Sequence, residues 1–99
     1  MAQFDFHSEV GSQRRYVVDV QAGILDQLST RVVAPLQPMP YGALLTELAP
    51  VVKIGGENDV FLAQGLTAIP RSELRRRKGS LSHYRDEIRR ALDTLLVGF

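Results

Sequence analysis

Helical periodicity occurs once in this chain, at its C-terminal end, and that single fact limits what the other residues can build. From Tyr84 onward, Ile88, Ala91, Leu92, Leu95 and Phe99 recur at the spacing of one helical face. Upstream, the apolar stretches are short, rich in β-branched residues and cut by glycine or proline. The pattern predicts a small, mostly antiparallel β domain closed by one C-terminal helix. Short strands at irregular spacing with tight turns favour a small barrel or a strongly bent sheet.

Individual strands follow from local patterns. Phe4 and Phe6 alternate with Asp5 and His7, the period-two signal of a half-buried strand, with His7 at its surface end. SEVGSQ is a loop. In RRYVVDVQ, Tyr16, Val18 and Val20 share one face, and Val17, Asp19 and Gln21 the other. Ile24-Leu25-Asp26 is an apolar patch in a loop or strand extension. Arg31–Leu36 is a strand that Pro35 ends or confines to a sheet edge, and Pro38 and Pro40 mark an irregular connection. YGALLTELA has the propensity for a turn or two of helix but no clear cap. Val51–Leu62 reads as a β-hairpin about Gly55, Gly56, Asn58 and Asp59, and LTAIP as a last short strand.

The helix itself is expected over about 81–98, with Ser80 or Ser82 as N-cap and Asp86 and Glu87 where the dipole favours acids. Asp86–Arg90 and Arg89–Asp93 have the i,i+4 spacing of weak ion pairs. Val97 lies about 180° around the helix from Ile88, on the solvated side with Asp86, Arg90 and Asp93.

Length and composition bound the function. Ninety-nine residues make one domain, 1–99, with strands to about 70, a basic loop over 71–80 and the helix after it. A chain of this size buries roughly 60–65% of its unfolded surface, so association with a second copy is expected. With no cysteine, disulfides and thiolate metal sites are excluded. No apolar run reaches the ~20 residues of a membrane span. MAQFDFHSEV lacks the regions of a signal peptide, so the expected compartment is the cytoplasm.

The net charge of +1 conceals an asymmetry of −2 over residues 1–50 against +3 over 51–99. The excess sits in Arg71, Arg75, Arg76, Arg77 and Lys78. This run is read either as a solvated loop or as a dock for an acidic protein. No aromatic residues are interleaved for base stacking, so direct nucleic-acid binding is not expected. No catalytic frame emerges: His7 and His83 are isolated, and Ser82 and His83 are adjacent, so their side chains diverge on a helix. No metal-ligand spacing is present, and no cofactor is expected.

In combination, several pieces are similar to the CcdB family, the gyrase-poisoning toxins of bacterial toxin–antitoxin systems. They are Val18-Asp19-Val20-Gln21, Ile24-Leu25-Asp26, Arg31-Val32-Val33-Ala34-Pro35-Leu36, Pro50-Val51-Val52, Ile54-Gly55, Ile69-Pro70 and Leu81-Ser82-His83, followed by a helix ending in Gly98 and one apolar residue. They run in the family's order over almost the whole chain.

The resemblance implies an SH3-like antiparallel barrel with a C-terminal helix, assembled as a homodimer. It also implies a non-catalytic action: insertion between gyrase A subunits, trapping the cleaved-DNA complex. A cognate antitoxin with a flexible C-terminal segment neutralises the toxin. In the family the gyrase contact centres on a C-terminal Trp-Gly-Ile, which falls on Val97, Gly98 and Phe99 here. Asp93 and Arg90 stand on the same face where better-known members carry asparagines, and Phe4, Ile24 and Leu25 match positions that support that surface.

Two departures stand out. Valine replaces the family tryptophan at Val97, and the run 71–78 is basic where better-known members are acidic, which suits an acidic antitoxin. Two other functions stay open: a diverged homodimer that binds antitoxin without poisoning gyrase, and an endoribonuclease toxin of the same fold that grips RNA through Arg14, Arg15 or Arg31.

Overall fold

The computed structural model describes residues 3–8, 16–25, 27–39, 48–74 and 76–98. Its strands are β1 (Asp5–Ser8), β2 (Tyr16–Asp19), β3 (Thr30–Pro38), β4 (Val51–Ile54), β5 (Glu57–Phe61), β6 (Thr67–Pro70) and β7 (Arg77–Ser80), and its helix is α1 (Arg85–Leu96). The strands form one antiparallel sheet in the order β4-β5-β3-β2-β1-β7, with β6 also paired to β3. The sheet curls into a half-barrel that α1 closes. The hairpin β4–β5 turns at Gly55-Gly56 as expected, but Asn58 and Asp59, expected in the connection, are paired within β5.

Strand β3 is central, not an edge, despite Pro35. It pairs with β2 along one side; on the other it pairs first with β6 through Val33 and then with β5 from Leu36. The Pro35 carbonyl accepts from the Leu62 amide on that second side, at the break between the two partners. The missing proline N–H therefore falls where no ladder bond was due. β3 also runs through Gln37 and Pro38, the start of the expected irregular connection.

Alternation along β1, β2 and β3 splits the side chains between two buried layers. The inner layer holds Phe6, Val18, Ala34 and Leu36 with Phe61, Leu81, Ile88 and Ala91, and Phe6 meets Tyr16 edge-on at 5.4 Å. On the opposite face Val17 and Val33 pack with Leu74 and Ile69. On that face Asp19 and Gln21 are buried too. His7 is buried as well, not at the surface, and its Nδ1 has no hydrogen-bond partner among the described residues. Burial lowers the His7 pKa, and the nearby Asp5 and Asp19 only partly oppose that.

The segment 71–80 is not a loop throughout. Arg71–Glu73 form a 3-10 turn, and β7 pairs with β1 at the sheet edge, with a bulge opposite Phe6 and His7. β6 is thus not the last strand. The helix begins at Arg85 after a 3-10 turn over Ser82–Tyr84. Neither Ser80 nor Ser82 caps it; the Ser80 hydroxyl accepts from the Ser82 amide instead. The expected helix over YGALLTELA and the loop SEVGSQ fall largely outside the described residues; Ser8, expected in that loop, ends β1.

Candidate functional site

The solvated face of α1 forms the first half of the candidate site. Ile88 and Ala91 are fully buried, and Leu92 and Leu95 pack partly against the same core. This fixes the helix rotation and turns Asp86, Arg90, Asp93 and Val97 outward, as the spacing predicted. Asp86, Arg89, Arg90, Asp93, Thr94 and Val97 line an open groove along this face. The i,i+4 pairs Asp86–Arg90 and Arg89–Asp93 do not close; Arg89 instead lies 5.8 Å over the Phe4 ring. The Thr94 hydroxyl donates back to the Arg90 carbonyl at 2.9 Å.

The helix ends sharply. The amides of Val97 and Gly98 both donate to the Asp93 carbonyl, at 2.8 and 3.1 Å, and Gly98 adopts a left-handed φ of 79°. A residue without Cβ takes that conformation at little cost, which ends the helix at Leu96, two residues short of the expected end, with Val97 as its C-cap. Val97 is left 80% exposed and Leu96 67% exposed. Phe99 lies outside the described residues.

The second half is the 3-10 turn Gly23–Leu25, which presents Ile24 at 92% exposure beside half-exposed Leu25 and Leu28. Buried polar atoms hold this turn. Asp19 Oδ2 accepts from Arg31 Nε at 2.9 Å and also from Nη2. Its other oxygen accepts from the Gln21 amide at 3.0 Å. The Gln21 side chain then accepts from the Val32 amide at 3.1 Å and donates to the Leu25 carbonyl at 2.7 Å. Sequence reading placed Arg31, Asp19 and Gln21 in the right segments but missed the network. The available signal was three polar residues in or next to strands rich in valine.

Phe4 is buried in the inner core. Its amide donates to the Asp19 carbonyl and its carbonyl accepts from Leu81, tying β2 to the start of the helical segment. The basic run is dispersed rather than gathered. Arg77 Nε donates to the buried Asp5 carboxylate at 2.9 Å, Arg76 and Lys78 are exposed beside it, Arg71 lies in the 3-10 turn, and Arg75 is outside the described residues. No group of three metal-ligating side chains occurs among the described residues. None of their helices is long and apolar enough to cross a membrane.

Solved structures share this architecture. A Mycobacterium tuberculosis toxin, MazF-mt6, matches with a TM-score of 0.73 and 18% identity, over 91% of this chain and 93% of the other. A second Mtb toxin matches with a TM-score of 0.72 and 18% identity, over 91% and 97%. At that identity the likeness is one of fold. The sequence shows the family: residues 3–98 match the CcdB protein family, and the chain belongs to it. It is a toxin-type component of a toxin–antitoxin system, with an antitoxin as partner.

Proposed function

We propose that this chain acts without catalysis, as a homodimer that binds the gyrase A subunit and traps the complex of gyrase with cleaved DNA. The contact is made by the outward end of α1, with Val97, Gly98 and Phe99 at its centre, Arg90 and Asp93 one to two turns back, and the Ile24–Leu25 turn beside the shared axis. The observation that carries this reading is the exposure of Val97, 80%, on a helix end that a glycine cap holds in one place. An apolar side chain displayed on a rigid element and flanked by unpaired charges suits a protein contact better than solvent.

The tryptophan-to-valine change weakens that contact. An indole over a cation is worth roughly 0.5–2 kcal/mol, and valine keeps only the apolar part. Arg90 and Asp93 add charge, which selects a gyrase with complementary residues. Exposed Arg76 and Lys78 favour an acidic antitoxin segment on the β7 side.

The test is a cleavage assay with the purified protein, gyrase of the source organism, ATP and supercoiled plasmid. Linear DNA should accumulate, and deleting Gly98-Phe99 should abolish it. A folded dimer that yields none while still binding antitoxin would replace gyrase poisoning by the diverged reading. Cleavage of RNA that is lost on changing Arg14 or Arg15 would replace it by the nuclease reading.

A further inference from the structure

Away from α1, a cavity of about 340 Å³ opens at the rim of the half-barrel, lined by Tyr16, Pro38, Ile54, Glu57 and Asp59. Alternation along β5 puts Glu57, Asp59 and Phe61 on one face, and Phe61 lies in the inner core. The two carboxylates therefore continue the apolar interior outward to its edge. Asp59 sits between Val52 on β4 and Pro38 on β3 and is only 7% exposed, yet its carboxylate has no hydrogen bond or ion pair with any described residue. Lys53, the nearest basic residue along β4, pairs with Asn58 and so faces the other side of the sheet. A largely buried carboxylate with no counter-charge among the described residues is costly, and burial with Glu57 beside it raises the Asp59 pKa. A cation entering the cavity would relieve both effects.

We propose that this rim cavity binds the guanidinium group of an arginine side chain on a partner polypeptide, with Glu57 and Asp59 as its acceptors. The walls decide the kind of cation. Tyr16 supplies an aromatic ring, and Pro38 and Ile54 supply apolar surface. A planar, weakly hydrated guanidinium stacks on such walls and reaches two carboxylates with one fork, whereas a compact ammonium keeps its water. A divalent metal wants six or more oxygens, and two carboxylates fall well short of that set. The site is independent of the gyrase reading, since it shares no residue with the α1 groove.

The experiment is an NMR titration of the isotope-labelled full chain with a blocked Gly-Arg-Gly tripeptide, its citrulline counterpart, free arginine and magnesium chloride. The arginine peptide should give saturable shifts at Tyr16, Ile54, Glu57 and Asp59, and the citrulline peptide none. Asp59→Asn keeps the shape of the side chain and should weaken binding at least about tenfold, the scale of one charged hydrogen bond. Glu57→Gln, at an exposed position, should weaken it in the same direction, with circular dichroism showing the variant folded. Equal response to citrulline, or no response at all, overturns the proposal. Magnesium saturating the same residues makes the site a metal site instead. Free arginine binding more tightly than the peptide assigns it to a small molecule.

Discussion

The buried pair Asp19–Arg31 sets the sharpest stability prediction. Both side chains are 0% exposed. Asp19 divides its oxygens between Arg31 and the Gln21 amide, so one residue satisfies a guanidinium and a backbone donor together. Asp19→Asn keeps an oxygen for the amide but removes the charge that faces the guanidinium. Breaking one side of a buried pair costs about 3–5 kcal/mol. A domain of this size holds roughly 5–15 kcal/mol in all, at 0.05–0.15 per residue, so the variant keeps only a fraction of its margin. At about 4–8 °C per kcal/mol, its melting temperature should fall by at least ~12 °C. Arg31→Met should cost a similar amount. The double variant should be no less stable than the worse single one, because two neutral side chains leave no uncompensated charge. The assay is denaturant unfolding by circular dichroism at fixed protein concentration, with all four proteins in one cycle. An Asp19→Asn protein within about 1 kcal/mol of the parent, or strictly additive costs, would refute the account of the pair as a buried, mutually dependent unit.

Four further outcomes are expected. His7 has a folded pKa below its ordinary 6.5, so the unfolded chain takes up a proton first as pH falls. The stability contributed by neutral His7 is therefore complete above about 6.5 and is lost as pH drops below it; His7→Phe should flatten that part of a stability–pH curve. Gly65→Ala would set a Cβ 2.7 Å from the rigid Pro35 ring and should cost about 1–3 kcal/mol by chemical denaturation. At Gly98 nothing lies within 4 Å of an added Cβ, so Gly98→Ala should cost only about 1 kcal/mol of backbone strain, while lowering gyrase-linked DNA cleavage more than global stability. Val97→Trp should leave the melting temperature unchanged, since the side chain is solvated, and should raise the yield of linear DNA in the cleavage assay by up to about tenfold.

What the sequence made legible was whatever one face of one element decides. The rotation of α1, and with it the outward Val97, followed from the spacing of Ile88, Ala91 and Leu95, because a single apolar stripe has one place to go. The β4–β5 hairpin followed from its glycines for the same local reason. Errors came where a second element decides. His7 read as a strand-end surface residue because alternation names two faces but cannot say that the second is covered; on that face Val17 and Val33 pack with Leu74 and Ile69. Pro35 read as an edge because its penalty depends on which side the missing N–H faces, and β3 changes partner on that side. Arg77 read as loop charge because its partner, Asp5, is 72 residues away. The order of the family's pieces carried the candidate site, since Val97, Ile24 and Arg90 have no local pattern that would mark them.

The two halves of the candidate site are fixed by different means, and neither depends on the side chains it displays. The helix end is set by Ile88 and Ala91 below it and by the Asp93 carbonyl and Gly98 beyond it. The turn is set by Asp19, Arg31 and Gln21. Ile24 and Val97 are the parts that face outward, and they contribute little to folding. Selection on stability therefore holds the scaffold residues while leaving the displayed ones free to follow a target. Valine in place of tryptophan is a change of this kind: it leaves every scaffold contact of α1 in place and alters only what the helix end presents. Variants at Val97 and Ile24 should accordingly separate from variants at Asp19 and Ile88, the first group changing partner binding at constant stability and the second changing stability first.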